Sequence, residues 1–234
     1  MGKLMVKEKH KLGIVVPYRN REENLSIFSP YMNDYLKEYD YEIFIVEQAD
    51  SGLFNRAKLC NIGFDTGKKD CDYFVFHDVD LVPLEVDYSY RNTPTHLARR
   101  LDYLGYKACY PTNFGGVTLF DKESFIKVNG FSNDYWGWGG EDDDLRLRCT
   151  RSGILPGVHQ GMFKSLPHPE GTPEAGLGVG THEKYQDNSS KFWNFAYDQN
   201  NTYYEKEGLT TLEYKLIGID RAPEYTTVKV DLSE

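Results

Sequence analysis

Tyr73-Phe74-Val75-Phe76-His77-Asp78-Val79-Asp80 is a short apolar run that ends in two acids one residue apart. Aromatic and β-branched residues in succession read as a buried strand. Two similar runs precede it: LGIVVP at 12–17, which stops at a proline, and YEIFIVE at 41–47. Between the first two, 20–39 has helical spacing, with Leu25, Phe28, Met32, Tyr35 and Leu36 on one side. Between the second and third, 54–64 repeats Leu59, Ile62 and Gly63 at helical intervals. Strand, helix, strand, helix, strand predicts an α/β fold of Rossmann-like type, with a mainly parallel central sheet and flanking helices. Ligands of such sheets sit at the carboxyl ends of the strands. Residues 17–21, 47–50 and 78–80 are therefore the first places to look for chemistry.

The second half is less regular. A strand is expected at 114–120, opened by Gly115-Gly116, and a helix at 141–151 with acids in its first turn, where the helix dipole favours them. GTPEAGLGVG at 171–180 reads as a loop, and 212–219 and 226–230 as closing strands. No internal repeat or linker divides the chain, so one domain is expected over 1–234, with a tail at 1–10 and a closing segment at 220–234.

The chain has 234 residues and a net charge of −9, which disfavours a partner as anionic as duplex DNA. No apolar run approaches the roughly 20 residues of a membrane-spanning helix, and the first residues lack the apolar core of a signal peptide. Cys60, Cys71, Cys109 and Cys149 have no CxxC spacing and read as buried thiols. These features lead to the expectation of a cytoplasmic microbial enzyme, unless the chain is the catalytic piece of a larger protein.

Several clusters point to chemistry. Asp78 and Asp80 stand at the end of an apolar strand, where alternation would turn both carboxylates to one side, as a hard divalent cation requires. WGWGGEDDD (136–144) alternates tryptophan with glycine and then stacks four acids. Tryptophan faces suit the apolar face of a sugar ring, and crowded carboxylates raise one another's pKa toward a general base. Tyr18, Arg19 and Arg21 could grip a diphosphate and stack a base. Arg56 opens a helix whose amides favour an anion. His168 precedes the Gly-rich segment, with Glu170 two residues on. His10, His77, His96, His159 and His182 carry no comparable signal.

FNRAKLCNIGF (54–64), FVFHDVDLVP (74–83), FGGVTLF (114–120) and NGFSNDYWGWGGEDDDLRLR (129–148) resemble the β-1,4-galactosyltransferase family, and EGLTTLEYKLI (207–217) looks like its closing segment. The resemblance runs from about residue 11 to 219. It implies a GT-A glycosyltransferase fold and inverting transfer from a UDP-sugar, normally UDP-galactose with Mn²⁺, to a saccharide acceptor. It also implies roles. Pro17, Tyr18, Arg19, Arg21, Phe54, Arg56 and Val79 would hold UDP, and Asp78 donor sugar and nucleotide. Asp80 and His168 would bind metal. Gly116, Trp138 and Glu141 would line the galactose site, with Glu141 beside the catalytic base Asp142. Asp143 and Tyr110 would meet the acceptor.

Three departures from the family pattern matter. Ser165 stands where the main branch has a methionine ligand, and Glu170 takes the place of the second histidine of another branch's His-x-His, which makes it a candidate oxygen ligand. Asn113 replaces a tyrosine against the donor's C2 substituent, so UDP-N-acetylgalactosamine is a second expected donor. Lys191-Phe192 approximates the family's Arg-Phe acceptor pocket only after a short insertion. Animal members carry a membrane anchor and stem, and neither is recognisable here. A non-catalytic sugar-binding module on the same scaffold is the competing expectation.

Overall fold

A computed structural model describes residues 9–108, 110–167 and 184–233. Its eleven strands are β1 (Leu12–Tyr18), β2 (Tyr41–Gln48), β3 (Tyr73–His77), β4 (Leu81–Glu85), β5 (Thr95–His96), β6 (Arg100–Leu101), β7 (Val117–Asp121), β8 (Gly157–Val158), β9 (Met162–Ser165), β10 (Lys215–Arg221) and β11 (Thr226–Asp231). The helices are α1 (Glu22–Tyr35), α2 (Arg56–Gly67), α3 (Lys122–Lys127), α4 (Glu141–Arg151), α5 (Tyr185–Tyr197) and α6 (Tyr203–Lys206).

Eight strands form one sheet in the order β10-β11-β2-β1-β3-β7-β5-β8. The core β11-β2-β1-β3 is parallel. The chain then turns back, and β7 runs antiparallel to both β3 and β5. A small second sheet, β4-β9-β6, stands beside the end of β3.

Strand alternation divides the core between the two faces. Leu12, Ile14, Val16, Ile43, Ile45, Tyr73 and Val75 point to Phe28, Met32 and Leu36 at α1. Val15, Phe44, Val46, Phe74 and Phe76 point to α2, where Leu59, Ile62 and Phe64 meet them. Gly63 lets α2 lie tight against the sheet, since a Cβ there would lie 2.3 Å from Val15 Cγ1. The expected strands at 12–17, 41–47 and 73–77 and the helix at 141–151 are present within a residue or so. The helix expected at 20–39 is shorter, because Leu36 leaves helical geometry and caps it.

Candidate active site

Arg56 is placed by its neighbour. Asn55 is wholly buried, and its side chain caps α2 by accepting from Lys58 N at 2.8 Å. Its own N–H donates to Gln48 Oε1 at 3.0 Å, at the carboxyl end of β2, and its Nδ2 donates to Asn133 O at 2.7 Å. The first helical residue, Arg56, is thereby aimed along the sheet's ligand edge.

There it meets three acids. Arg56 Nε donates to Asp78 Oδ1 at 2.8 Å and Nη1 to Asp142 Oδ1 at 3.0 Å, while Glu141 Oε1 lies 3.8 Å from Nη1. The sequence places these residues 22 and 86 positions from Arg56, and the fold brings them to one guanidinium. Asp78 and Asp80 are not on a strand: β3 ends at His77 and the acids occupy a turn, so the strand-alternation reading is corrected. Asp78 N donates to Gly116 O at 3.0 Å, and Leu81 N to Asp78 O at 3.3 Å, which ends the strand and bends the chain.

Gly115 and Gly116 complete this edge. A Cβ on Gly115 would stand 2.6 Å from Asp142 Oδ2, and one on Gly116 would press Leu81 at 3.0 Å with Asp78 Oδ2 at 4.0 Å. Asn113 Oδ1 accepts from Gly115 N at 3.2 Å, folding that side chain against its own loop.

The WGWGG segment is held from both sides. Gly137 N donates to Phe54 O at 2.8 Å, and the buried Asn188 of α5 donates to Trp136 O at 2.9 Å and Trp138 O at 3.2 Å. Gly137, Gly139 and Gly140 all have positive φ, so this path favours glycine at each. Trp138 is 41% exposed and lies 5.6 Å from the Tyr185 ring, an aromatic surface beside the acids. Four acids then start α4, but they separate. Asp142 faces Arg56, Asp143 Oδ1 accepts from Tyr110 at 3.3 Å, and Asp144 turns into the protein to pair with Arg148 at 2.6 Å.

Burial pushes Glu141 and Asp142 well above the ordinary carboxylate range. The Asp142 charge adds to the rise at Glu141, and Arg56 opposes it in both. Asp143 is also raised by burial, against the Tyr110 hydrogen bond.

The other expected residues fall into separate groups. Pro17 and Tyr18 are the last two residues of β1. Arg19 donates to Gly52 O at 2.6 Å and lies 5.2 Å from the Phe54 ring centroid, so this pair is joined. Arg21 caps α1. Val79 is buried between the two acids of the turn. Lys191 reaches Asp134 and lies 5.3 Å from the Tyr135 ring, and Phe192 packs on Trp193 at 5.1 Å. His168, Glu170 and Cys109 lie outside the described residues, as does 171–180; Cys60, Cys71 and Cys149 are buried and free. Among the described residues no helix is long and apolar enough to cross a membrane.

A parallel sheet that turns back after β3, with paired acids at its ligand edge, is the architecture of GT-A glycosyltransferases. Residues 5–97 match the family model described as the N-terminal region of glycosyl transferase group 7, and 95–168 the one described as the N-terminal domain of galactosyltransferase. The crystal structure of the catalytic domain of Drosophila β1,4-galactosyltransferase 7 in complex with xylobiose superposes with a TM-score of 0.77 at 30% identity, covering 96% of this chain and 95% of that one. A second structure of that enzyme, a mutant in complex with manganese, UDP-Gal and xylobiose, gives 0.74 at 28% identity, with 96% and 95% covered. The chain belongs to the β-1,4-galactosyltransferase family.

Mouse (Mus musculus) β-1,4-galactosyltransferase 1 is 38% identical over 229 residues, 95% of this chain and 55% of the relative. Human (Homo sapiens) β-1,4-galactosyltransferase 4 is 38% identical over 232 residues, 96% of this chain and 64% of the relative. The chain thus spans a little over half the length of these relatives. The expectation of a cytoplasmic microbial enzyme is overturned: these relatives are animal β-1,4-galactosyltransferases.

Proposed function

We propose that this chain is the catalytic domain of an inverting, metal-dependent galactosyltransferase that moves galactose from UDP-galactose to a saccharide hydroxyl with a β-1,4 linkage. The observation that carries the reading is the junction of Asp78 and Asp142 on Arg56 at the sheet's ligand edge. Burial and the neighbouring acids raise the pKa of Asp142, which supports a proton acceptor at this edge over a sugar-binding module.

Asp142 is the base that takes the acceptor hydroxyl proton as that oxygen attacks C1. With one base and no protein nucleophile in the scheme, an α-linked donor gives a β-glycoside. Asp143 and Tyr110 orient the acceptor beside the base. Arg56 keeps Asp142 ionised and directs Asp78 toward donor sugar and ribose. Pro17, Tyr18, Arg19, Arg21, Phe54 and Val79 hold the nucleotide, with Arg19 and Phe54 already in contact. Gly116, Trp138 and Glu141 line the galactose, and Trp138 with Tyr185 helps to exclude water. Lys191 and Phe192 are assigned to the outer acceptor wall.

The donor set suits Mn²⁺. The backbone oxygen of Asp80 accepts from Leu166 N at 2.6 Å, which brings the segment leading to His168 alongside the acidic turn. A carboxylate with imidazole is a fitting set for that ion. Asp80 would hold it, with His168 and Glu170 as the remaining protein ligands. When bound, it supplies positive charge against the diphosphate leaving group.

The test is acceptor-dependent UDP release with Mn²⁺, comparing UDP-galactose with UDP-N-acetylgalactosamine over N-acetylglucosamine, glucose and xylose. Release from UDP-galactose with one acceptor is the expected result. Preference for the N-acetylated donor, reversed by Asn113→Tyr, would reassign the donor. Mn²⁺-dependent UDP binding without release from any pair would favour the binding module.

A further inference from the structure

His77 and His96 sit at the ends of β3 and β5, the strands on either side of β7. Across β7 they are in register with its first two residues, Val117 and Thr118. Both rings are fully buried. Each turns one nitrogen onto a carbonyl of a loop that bounds the acidic site. His77 Nδ1 lies 2.9 Å from Asp78 O, and His96 Nε2 lies 2.8 Å from Gly115 O.

A carbonyl only accepts, so the hydrogen bonds assign the protons: Nδ1–H in His77 and Nε2–H in His96. At His77 the second nitrogen then accepts from Tyr88 OH at 2.9 Å, and Tyr88 O in turn accepts from Tyr73 OH at 2.9 Å. At His96 the second nitrogen, Nδ1, is buried with no partner among the described residues, which is tolerable for a lone pair and costly for an N–H. Burial pushes both imidazoles down to about 4, so each is neutral at pH 7 with a single proton to place.

The two carbonyls belong to the two walls of the site. Asp78 carries one carboxylate of the Arg56 junction, and Gly115 is the surface against which Asp142 rests. We propose that His77 and His96 are positioning residues that work as a pair in opposite tautomers: each N–H fixes one loop carbonyl, and together they set where Asp78 and Asp142 stand. For its activity readout this rests on the transfer reaction assigned above.

Amide replacements separate positioning from mere packing. Asparagine Nδ2 overlays histidine Nδ1, and glutamine Nε2 overlays histidine Nε2. His77→Asn and His96→Gln should therefore stay within about 3-fold of the wild-type kcat. His77→Gln and His96→Asn should lose about 10²-fold, the scale of a 1 Å misplacement at a reacting centre. His77→Gln should also weaken Mn²⁺-dependent UDP binding by calorimetry at least ~10-fold, and His77→Asn should not. A packing role predicts similar losses for both amides at each position, and that outcome, or the reverse order, overturns the proposal.

¹⁵N spectra of the full chain with labelled histidine give a readout free of turnover. One neutral Nδ1–H and one neutral Nε2–H resonance should persist at pH 7, and Tyr88→Phe should relax the preference at His77 alone. The same tautomer at both sites would refute the pairing. A wild type that binds UDP but transfers nothing would remove the reaction assigned above, and the spectra and calorimetry would still decide the pairing.

Discussion

Asp142 lies between opposing influences: burial raises its pKa, Arg56 lowers it, and Asp78 and Asp143 raise it again. A base of this kind is still ionised at neutral pH and can accept a proton readily. Asp142→Asn should keep Mn²⁺-dependent UDP binding and lose at least ~10²-fold in kcat, the usual scale for a general base; near wild-type turnover would remove Asp142 from that role. The pH–rate profile should fall on the acid side with an apparent pKa above the ordinary ~4 of a carboxylate. Glu141 has a stability consequence of definite sign. Its folded pKa is raised, first by burial and then by Asp142, so the folded state holds this proton more tightly than the unfolded chain. The associated stability is present below the ordinary glutamate pKa and is lost as pH rises through the folded value. Glu141→Gln should therefore melt higher than wild type at pH 9, by roughly 2–4 °C for each kcal/mol relieved, and the gap should close toward pH 4. Gly115→Ala tests the wall: its Cβ would meet Asp142 Oδ2 at 2.6 Å, so kcat should drop with little change in melting temperature. The acidic cluster is legible as chemistry in the residues themselves, while its division comes only through the family resemblance, which gives roles to Glu141, Asp142 and Asp143 and none to Asp144; that Asp144 turns inward to Arg148 is visible only in the fold.

At the scale of the element, the fourth acid explains how α4 is held. Asp144 is fully buried against Arg148, one helical turn on, and also accepts from Tyr135 at 3.1 Å and from Tyr203. Arg148 goes on to Glu207, donating to its backbone oxygen and to Oε2, both at 2.8 Å. α4 is thereby fastened to the segment after α6. The i, i+4 spacing of Asp144 and Arg148 was available in the sequence; that both are buried was not, since exposed pairs have the same spacing. Arg148→Met should destabilise by about 3–5 kcal/mol in urea, because it leaves the Asp144 carboxylate buried with only the Tyr135 and Tyr203 hydroxyls and no compensating cation, and adding Asp144→Asn should recover part of the loss. A loss under ~1 kcal/mol would mean that the pair is no more than an exposed one in strength. The same scale shows why some elements escaped notice. β4 contains Pro83, β5 and β8 are two residues long, and α5 buries only Asn188 and Phe195, so no apolar period marks them. By contrast β1, the centre of β2 at 43–46 and β3 up to Phe76 are unbroken apolar runs because both faces of the sheet are covered, and that signal survives in the bare sequence.

For the whole molecule, the question is whether the two cores are one folding unit. The central strands supply both, with alternate apolar side chains assigned to opposite faces. The carboxyl-terminal β11 inserts parallel to β2, and its Val228 and Val230 join the core that contains Val15 and Phe76. α4 belongs to that core as well, through Leu145 and Cys149. Opening either core would expose apolar side chains of strands that also serve the other, so the single domain expected from the sequence predicts one cooperative transition. The three tryptophans, Trp136, Trp138 and Trp193, all lie in the second half, while far-UV circular dichroism reports on the sheet and helices together. If the chain unfolds as one unit, the two signals should give the same urea midpoint and slope. Saturating Mn²⁺ and UDP should move both midpoints upward together, by about 2.7 kcal/mol at a hundredfold excess over Kd. Separate midpoints for the two signals would instead divide the chain into two units.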